Sequence, residues 1–516
     1  MFQYINSLLK FLTLDKNEKN FIKRSNKVKK SGHINLEEEY IILQTPLDYY
    51  YLLFFKSLIK DNNLLTHKIY GLNPYVINKT KLDKDSFIKR KDRISDFLPY
   101  TLANFIAKLL YYIKIKKLYK SIGFSKILNF DTSIKRFVNN KIQAQILFNS
   151  IKNKKKILKL RYKQILIGDL VYDTYLRWRA KPTVDIKDEF LKEIIFLSIV
   201  MIENLNSFFI KKKIKFYITS FTSYIHHGIP VRFFLKKKIP VYSVRKLHFE
   251  KNIYKLSSSH YLNGLDFSNL NKKIKLIKKT EFKFAKKNLE RKFTGQLENS
   301  SKYLRLNPYQ NNFEDVKLNN IDGVLFLHDF YDSPHAFEFK LFEDIYEWAI
   351  FTFKLIRKHN LKIGIKQHPN THPTIKNYMR KLKKEFSDLI WIDHSISNFT
   401  IFKKKNIKFG MSIAGSVIYE MAYFNKIPIS VGVNHFSSFS FMRVPKTKKE
   451  YIQLILNYNQ IKLPKNIKEI VIKLYYELMY RNKNISDFKL SNIDDLKNIN
   501  SDSSKDLLRF SKKLFN

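Results

Sequence analysis

The chain has 516 residues, 44% of them hydrophobic and including 44 Phe and 31 Tyr, which is material for two or three cores of ordinary size and excludes a disordered chain. Its 96 Lys and Arg against 45 Asp and Glu leave a formal charge of +51, spread over nearly every segment. With Lys, Ile and Asn abundant throughout and Gly scarce, that excess reads first as the compositional bias of an AT-rich coding sequence, with a weak pull toward acidic lipid headgroups or phosphorylated substrates; a nucleic-acid module would instead interleave a basic patch with aromatics. Cysteine is absent, so disulfides and thiolate metal sites are excluded, in keeping with a cytoplasmic location.

The start, "MFQYINSLLKFLTLDKNEKN", is amphipathic, lacks a basic region ahead of its apolar part and shows no small-residue cleavage site, so it does not read as a signal peptide. Short apolar strands are expected at 39–44, 67–72, 126–130, 164–169, 215–220 and 239–244. Apolar residues at three- and four-residue steps mark helices in 47–61, 188–209 and around 231–238. The most apolar stretch, 96–120, is interrupted by Lys108 and turns basic at its end. It reads either as a core-facing helix or as an interfacial one with Tyr111 and Tyr112 at headgroup level.

From 251 to 318 the chain is polar and lysine-rich with no clear strand, as expected of an inter-domain region carrying one basic helix. A second series follows, with strands at 323–329, 362–367, 389–393, 407–412 and 427–431 and helices between them. The pattern predicts an α/β chain of two Rossmann-like domains with parallel sheets facing a central cleft. Their expected spans are 1–250 on the N-terminal side and 319–480 on the C-terminal side, with a tail over 481–516. In such sheets ligands sit beyond the carboxyl ends of the strands, so the chemistry is expected just after each strand.

Five stretches there hold polar groups that a core does not need. In "SIAGSVIYE", Ser412, Gly415 and Ser416 open a helix, where free N–H groups suit an anion, and Glu420 follows within reach of a ribose hydroxyl; a plain helix cap is the structural alternative. In "KQHPN", Lys366 and His368 end a strand, and Pro369 keeps His368 out of the helical region, aimed at a phosphate; His372 and Pro373 read as the start of the next helix. "HDFYDSPH" crowds His328, Asp329, Asp332, Ser333 and His335 into one loop, with a spacing that matches no closed metal-ligand set, so a contact to acceptor or sugar fits better than a metal. "GDLVYD" offers Asp169 and Asp173, either of which suits a general base or a structural cap. "TSYIHHGIP" places Ser223, His226 and His227 at another helix start facing the cleft.

Together "IGDLVYDTYLR", "TSYIHHGIPVR", "HDFYDSPH", "KQHPN" and "SIAGSVIYEMAYFNKIPI" resemble the capsule and surface polysaccharide biosynthesis proteins, bacterial glycosyltransferases of the GT-B architecture, over roughly residues 160 to 435. The resemblance implies metal-independent transfer of a sugar from a nucleotide sugar, the only co-substrate and no further cofactor, to a glycan or lipid-linked acceptor. It places the donor on His368, Pro369, Ser412, Gly415, Ser416 and Glu420, and the acceptor in the N-terminal domain with Asp169 or Asp173 as base. The His-Pro pair and serine-rich helix start are shared with polymerases using CDP-glycerol and with transferases using CMP-sugars, and the scarcity of glycine here departs from a glycine-rich donor loop. The donor nucleotide is therefore open. A nucleotide-sugar epimerase and a non-catalytic, membrane-associated component of a polysaccharide machine are the alternatives.

Overall fold

A computed structural model describes residues 14, 16–29, 37–46, 49–61, 64, 67–76, 116–130, 134–244, 253–257, 270–296, 315–339, 341–368, 375–433 and 437–480. Most of the amphipathic start, most of the apolar stretch 96–120, Pro369, His372, Pro373 and the tail 481–516 lie outside these residues. Among the described residues no helix is long and apolar enough to cross a membrane.

The strands are β1 (Glu37–Gln44), β2 (His67–Val76), β3 (Lys126–Phe130), the pair β4 (Arg161–Tyr162) and β5 (Ile165–Leu166), β6 (Ile214–Thr219), β7 (Val241–Val244), β8 (Ile253–Leu256), β9 (Gly323–Phe326), β10 (Ile363–Lys366), β11 (Ile390–Ile392), β12 (Phe409–Ser412) and β13 (Ile427–Ser430). They form one sheet in the order β3-β2-β1-β6-β7-β8, a second in the order β11-β10-β9-β12-β13, and the small hairpin β4-β5. Every pairing in the two large sheets is parallel except β7 with β8. Numbered within its own sheet, the first runs 3-2-1-4-5-6 and the second 3-2-1-4-5, the doubly wound Rossmann order. The direction of winding reverses between β1 and β6 in the first sheet and between β9 and β12 in the second, and the crevices at these points are where such sheets take ligands.

The strands of the second sheet are short apolar runs because helices cover both faces; β9, β10, β12 and β13 are buried at every position. In the first unit the long helix Glu189–Phe209 supplies much of the core, with Ile194, Ile195, Ile199, Val200, Met201, Ile202 and Leu205 all at 0% exposure. Each such side chain contributes about 1.5–3 kcal/mol by leaving water. Asp188 caps this helix by accepting from the Phe190 N–H, and its other bonds, from Tyr175 and Arg179, tie it to the helix Gly168–Arg179.

Two expectations need correction. The strand expected over 164–169 stops at Leu166, because Lys163 and Gln164 both take left-handed backbone (φ 45° and 63°), as the two central residues of a tight hairpin do, so β5 pairs back on β4. Helix Gly168–Arg179 then starts at once; a Cβ on Gly168 would lie 1.9 Å from the Ile157 carbonyl oxygen, so only glycine allows this close packing. Asp169 and Asp173 therefore sit one turn apart on a helix rather than after a strand. The second correction is β8, an antiparallel strand inside the segment expected to be strand-free; further on, helix Lys279–Phe293 packs on helix Ile467–Met479 beside the second sheet.

Candidate functional site

The crevice of the first sheet is filled by its own side chains. Gln44, the last residue of β1, is fully buried, and its Oε1 accepts from Thr219 Oγ1 at 3.0 Å, the Ser220 N–H at 3.2 Å, Ser220 Oγ at 2.9 Å and His227 Nδ1 at 2.9 Å. His227, expected to face the cleft, is thus spent on this plug, and burial holds it well below its usual pKa, in the neutral form. Ser223 caps the start of helix Tyr224–Lys236 by position, without a side-chain cap bond, and is 5% exposed.

Among the described residues the crevice of the second sheet is not filled in this way. Gly415 follows β12 with φ +101°, and a Cβ placed on it would meet no atom within 4 Å; Gly415 and the next residue, Ser416, are exposed. His368 lies half-buried beyond β10 with its ring 6.0 Å from that of His328. Burial, then the neighbouring His328 and Lys366, lower the His368 pKa to about 4, so the ring is neutral.

Three residues expected in this crevice are turned into the domain instead. Ser412, 3% exposed, lies with its Oγ 3.3 Å from the Ala414 carbonyl. Lys366, 2% exposed, donates to Asn398 Oδ1 at 2.8 Å, and burial lowers its pKa to about 8. Glu420 has no exposure and lies 3.1 Å from Lys292 Nζ, which also donates to the Tyr419 hydroxyl at 2.7 Å. The expected ribose contact of Glu420 is thus replaced by a buried ion pair anchoring the helix Val417–Tyr423 to the helix Lys279–Phe293.

Helix Gly168–Arg179 carries the groups that meet the second unit. Asp169 is held by Arg232 in a two-pronged pair, with distances of 2.6 and 2.5 Å, and Arg232 also donates to the Leu166 carbonyl. Burial opposes the Asp169 charge, but Arg232 outweighs it and keeps the carboxyl below its ordinary range. Both oxygens of Asp169 are therefore occupied within the first unit, which leaves it no free edge for a base. Asp173, one turn on and 2% exposed, faces the other way in function: its Oδ1 lies 2.5 Å from Nδ1 of His335, across the boundary between the two units. Burial raises Asp173 to about 6; burial also works against the His335 imidazolium, yet the charge and hydrogen bond of Asp173 prevail and raise the histidine. The second ring nitrogen, His335 Nε2, is buried with no hydrogen-bond partner.

Around this pair the two units are stitched together. Tyr172 donates to Asp344 Oδ2 at 2.5 Å, Thr183 bonds the same carboxylate, and Lys154 meets Glu347 at 2.5 Å. Arg177 lies 4.8 Å over the Tyr331 ring. Burial disfavours its charge, but Tyr224, Tyr331, Asp332 and Asp329 outweigh this and hold the guanidinium charged. Asp332 receives the Ser333 N–H at 2.9 Å. The loop after β9 therefore brings Asp329, Asp332, Ser333 and His335 against Asp173, Arg177 and Tyr224. Arg177, Tyr224 and Arg232 were not singled out in the sequence; the cue for the two arginines was charge inside the apolar runs "YLRWR" and "PVRFF", and Tyr224 had none. Among the described residues no group of three or more His, Asp or Glu is placed to hold a metal ion.

No protein-family model matches the chain, and no curated protein matches it. Among solved structures it is similar to the UDP-GlcNAc 2-epimerase of Methanocaldococcus jannaschii in complex with UDP-GlcNAc and UDP (13% identity, 86% of this chain and 99% of that one, TM-score 0.24). It is also similar to a glycosyltransferase from Rickettsia africae (10% identity, 93% and 98%, TM-score 0.26) and to Anabaena HepE in complex with UDP and glucose (8% identity, 94% and 100%, TM-score 0.27). At these TM-scores the likenesses decide nothing about activity; the fold is read from the chain's own strand pairing.

Proposed function

We propose that the chain is a glycosyltransferase that moves a sugar from a nucleotide-activated donor to a hydroxyl of a glycan or lipid-linked acceptor. The observation that carries this reading is the asymmetry of the two crevices: the first is plugged by Gln44 and His227, while the second, among the described residues, is not, and exposes Gly415 and Ser416 with a neutral His368 beside it. A doubly wound sheet with an unfilled crevice takes a nucleotide by its phosphates at that point, where a glycine lets the anion approach the backbone. The bound phosphate would raise His368, and the imidazolium so formed would offset charge on the departing nucleotide.

His335 is the base in this scheme. Its Nε2 takes the proton of the acceptor hydroxyl as the oxygen attacks the anomeric carbon and the nucleotide phosphate leaves with the bonding electrons. Asp173, bonded to Nδ1, fixes the tautomer and stabilises the resulting imidazolium without acting on the acceptor itself. The +51 charge fits a peripheral position on an anionic membrane, at its cytoplasmic face, where a lipid-linked acceptor of surface polysaccharide synthesis would be presented; flotation with anionic liposomes tests that part.

The decisive experiment is thermal stabilisation by CMP, CDP, UDP and GDP, since a ligand of the folded state alone must raise the melting temperature. One nucleotide is expected to shift the wild type and to lose its effect in His368→Ala and in Gly415→Val. No shift with any of the four sinks the reading. Incubating the matching nucleotide sugar alone separates the alternatives: conversion to an isomer without any acceptor identifies an epimerase.

A further inference from the structure

In the second unit a basic stretch carries one outward apolar side chain. Residues 272–287 include eight lysines against a single acid, Glu281. Ile274 and Ile277 turn into the core, at 7% and 9% exposure, whereas Leu276 between them stands 70% exposed. One exposed leucine is ordinary by itself, but its surroundings set this one apart. Lys275, Lys278, Lys279, Lys283, Lys286 and Lys287 are all exposed, and none of them forms an ion pair with a described residue. Glu281 is engaged on the domain side, its carboxylate accepting from the Lys278 N–H and the Tyr476 hydroxyl, each at 2.8 Å. Lys279, Lys283 and Lys287 repeat at four-residue steps in helix Lys279–Phe293, a spacing that sets like charges one above the other and weakens the helix unless a partner offsets it. Phe284, 41% exposed, lies one turn from Lys287 on the same helix. Beside the lysines a groove of about 740 Å³ runs between this helix and helix Ile467–Met479, lined by Phe282, Tyr423 and Ile472 together with Lys279, Lys286 and Lys468. Its two acids are already engaged, Glu290 by the Tyr423 hydroxyl at 3.3 Å and Glu469 by Lys473 at 2.6 Å.

We propose that this face, with Leu276 at its tip, is where the protein docks on an anionic bilayer. The proposal rests on the peripheral membrane position given above and adds which surface of the molecule makes the contact. Leu276 enters the acyl boundary, the lysine stems lie along it with their ammonium groups at phosphate depth, and a lipid headgroup phosphate fits the mouth of the groove. The charge excess of the chain as a whole does not make this choice, but its local balance does. In the first unit Ile210 is 80% exposed beside Lys211, Lys212 and Lys213, yet there Lys212 donates to the Phe208 carbonyl at 2.6 Å and Lys213 pairs with Glu39. A nucleic acid would also meet the lysines, but its phosphates give an outward leucine nothing to bury against, so the bilayer is the better partner.

Because the chain has no cysteine, Leu276→Cys places a single polarity-sensitive dye on the full-length protein. Its emission is expected to shift to the blue with vesicles of phosphatidylcholine mixed equally with phosphatidylglycerol, and to stay put with phosphatidylcholine alone or with a single-stranded oligonucleotide. The same dye on Ile210→Cys should respond to none of the three. Partitioning of the unlabelled protein onto the mixed vesicles, measured by flotation, should weaken about tenfold in Leu276→Ser through lost apolar burial. It should weaken about a hundredfold when Lys275→Gln, Lys278→Gln and Lys279→Gln are combined. All these positions are exposed, and melting curves confirm that each variant folds. A blue shift at position 210 rather than 276, or flotation indifferent to Leu276 and the three lysines, overturns the docking face and leaves the peripheral position standing. A wild type that does not float with the mixed vesicles sinks both, as does binding of the oligonucleotide alone in a way that needs the three lysines. The nucleotide melting shifts, read on the same samples, report on the transferase reading independently of either result.

Discussion

Asp169 and Asp173 are one helical turn apart, yet the structure assigns them opposite consequences on substitution. Asp169→Asn removes the charge facing Arg232, whose side chain is 6% exposed, against 13% for Asp169 itself. Breaking a buried pair from one side leaves the other charge uncompensated, at about 3–5 kcal/mol. For a unit of roughly 200 residues each kcal/mol lowers the melting temperature by about 2–4 °C, so a fall of ~6–20 °C is expected. The double variant Asp169→Leu with Arg232→Met removes both charges and should regain most of the loss, because no ion is then left buried. Asp173→Asn keeps an acceptor for the His335 N–H, so it should cost only about 1–2 kcal/mol in stability. Its turnover should nevertheless drop by about 10²–10⁴, the usual worth of a correctly held base. Urea and thermal melts followed by circular dichroism, with sugar transfer measured below the melting range, separate the two. If Asp169→Asn melts like the wild type and loses turnover while Asp173→Asn keeps it, the roles given to the two carboxylates are wrong.

The acid limb of the pH–rate profile should lie above the ordinary histidine range in the wild type, because Asp173 raises His335 and the base works only once deprotonated; in Asp173→Asn the strongest raising influence is lost, leaving Asp169 and Asp344 against burial, and the limb should move to lower pH. Ring NMR of His368 should show a neutral imidazole at pH 6.5 in the free protein and a protonated one when the stabilising nucleotide is added; a ring that stays neutral removes it from the phosphate site. Gly415→Val should cost about 1–2 kcal/mol through its left-handed backbone, since nothing lies within 4 Å of the added Cβ, while abolishing the nucleotide-induced melting shift. Lys292→Met should destabilise by about 3–5 kcal/mol and be largely rescued by adding Glu420→Leu, which equilibrium unfolding measures.

Much of the architecture could be read from apolar runs alone. Strands such as "KIGIKQ" and "IPISV" are buried on both faces and bounded by polar residues, so their type and approximate limits are dictated locally. Where local signals fail, the structure shows why. Lys163 and Gln164 make a left-handed hairpin turn without the Gly or Asn that normally announces one, and β8 is four residues at an antiparallel edge, too short to show a period. Part of the candidate site could be marked out for a similar reason. Looking just after the strands singled out His335, and the same search reached Asp173 through an expected strand that stops at Leu166, ahead of the helix that carries Asp173. Their meeting across 162 positions is a property of the packing of two sheets that no local pattern reports. Lys366 and Glu420 are the converse case: each has the composition of a cleft residue but is turned inward because a distant element, through Asn398 or Lys292, offers it a buried partner.

The plug formed by Gln44 has a consequence for counting. A chain that carries the same winding twice would bind two nucleotides if both halves kept the ancestral use of their sheets, and a titration could then show cooperativity within a single molecule. With Gln44 Oε1 already accepting from Thr219, Ser220 and His227, the polar groups at the first crevice are engaged with one another. Equilibrium dialysis should therefore saturate at one nucleotide per chain along a simple hyperbola, and a second equivalent of binding would mean that the plug opens.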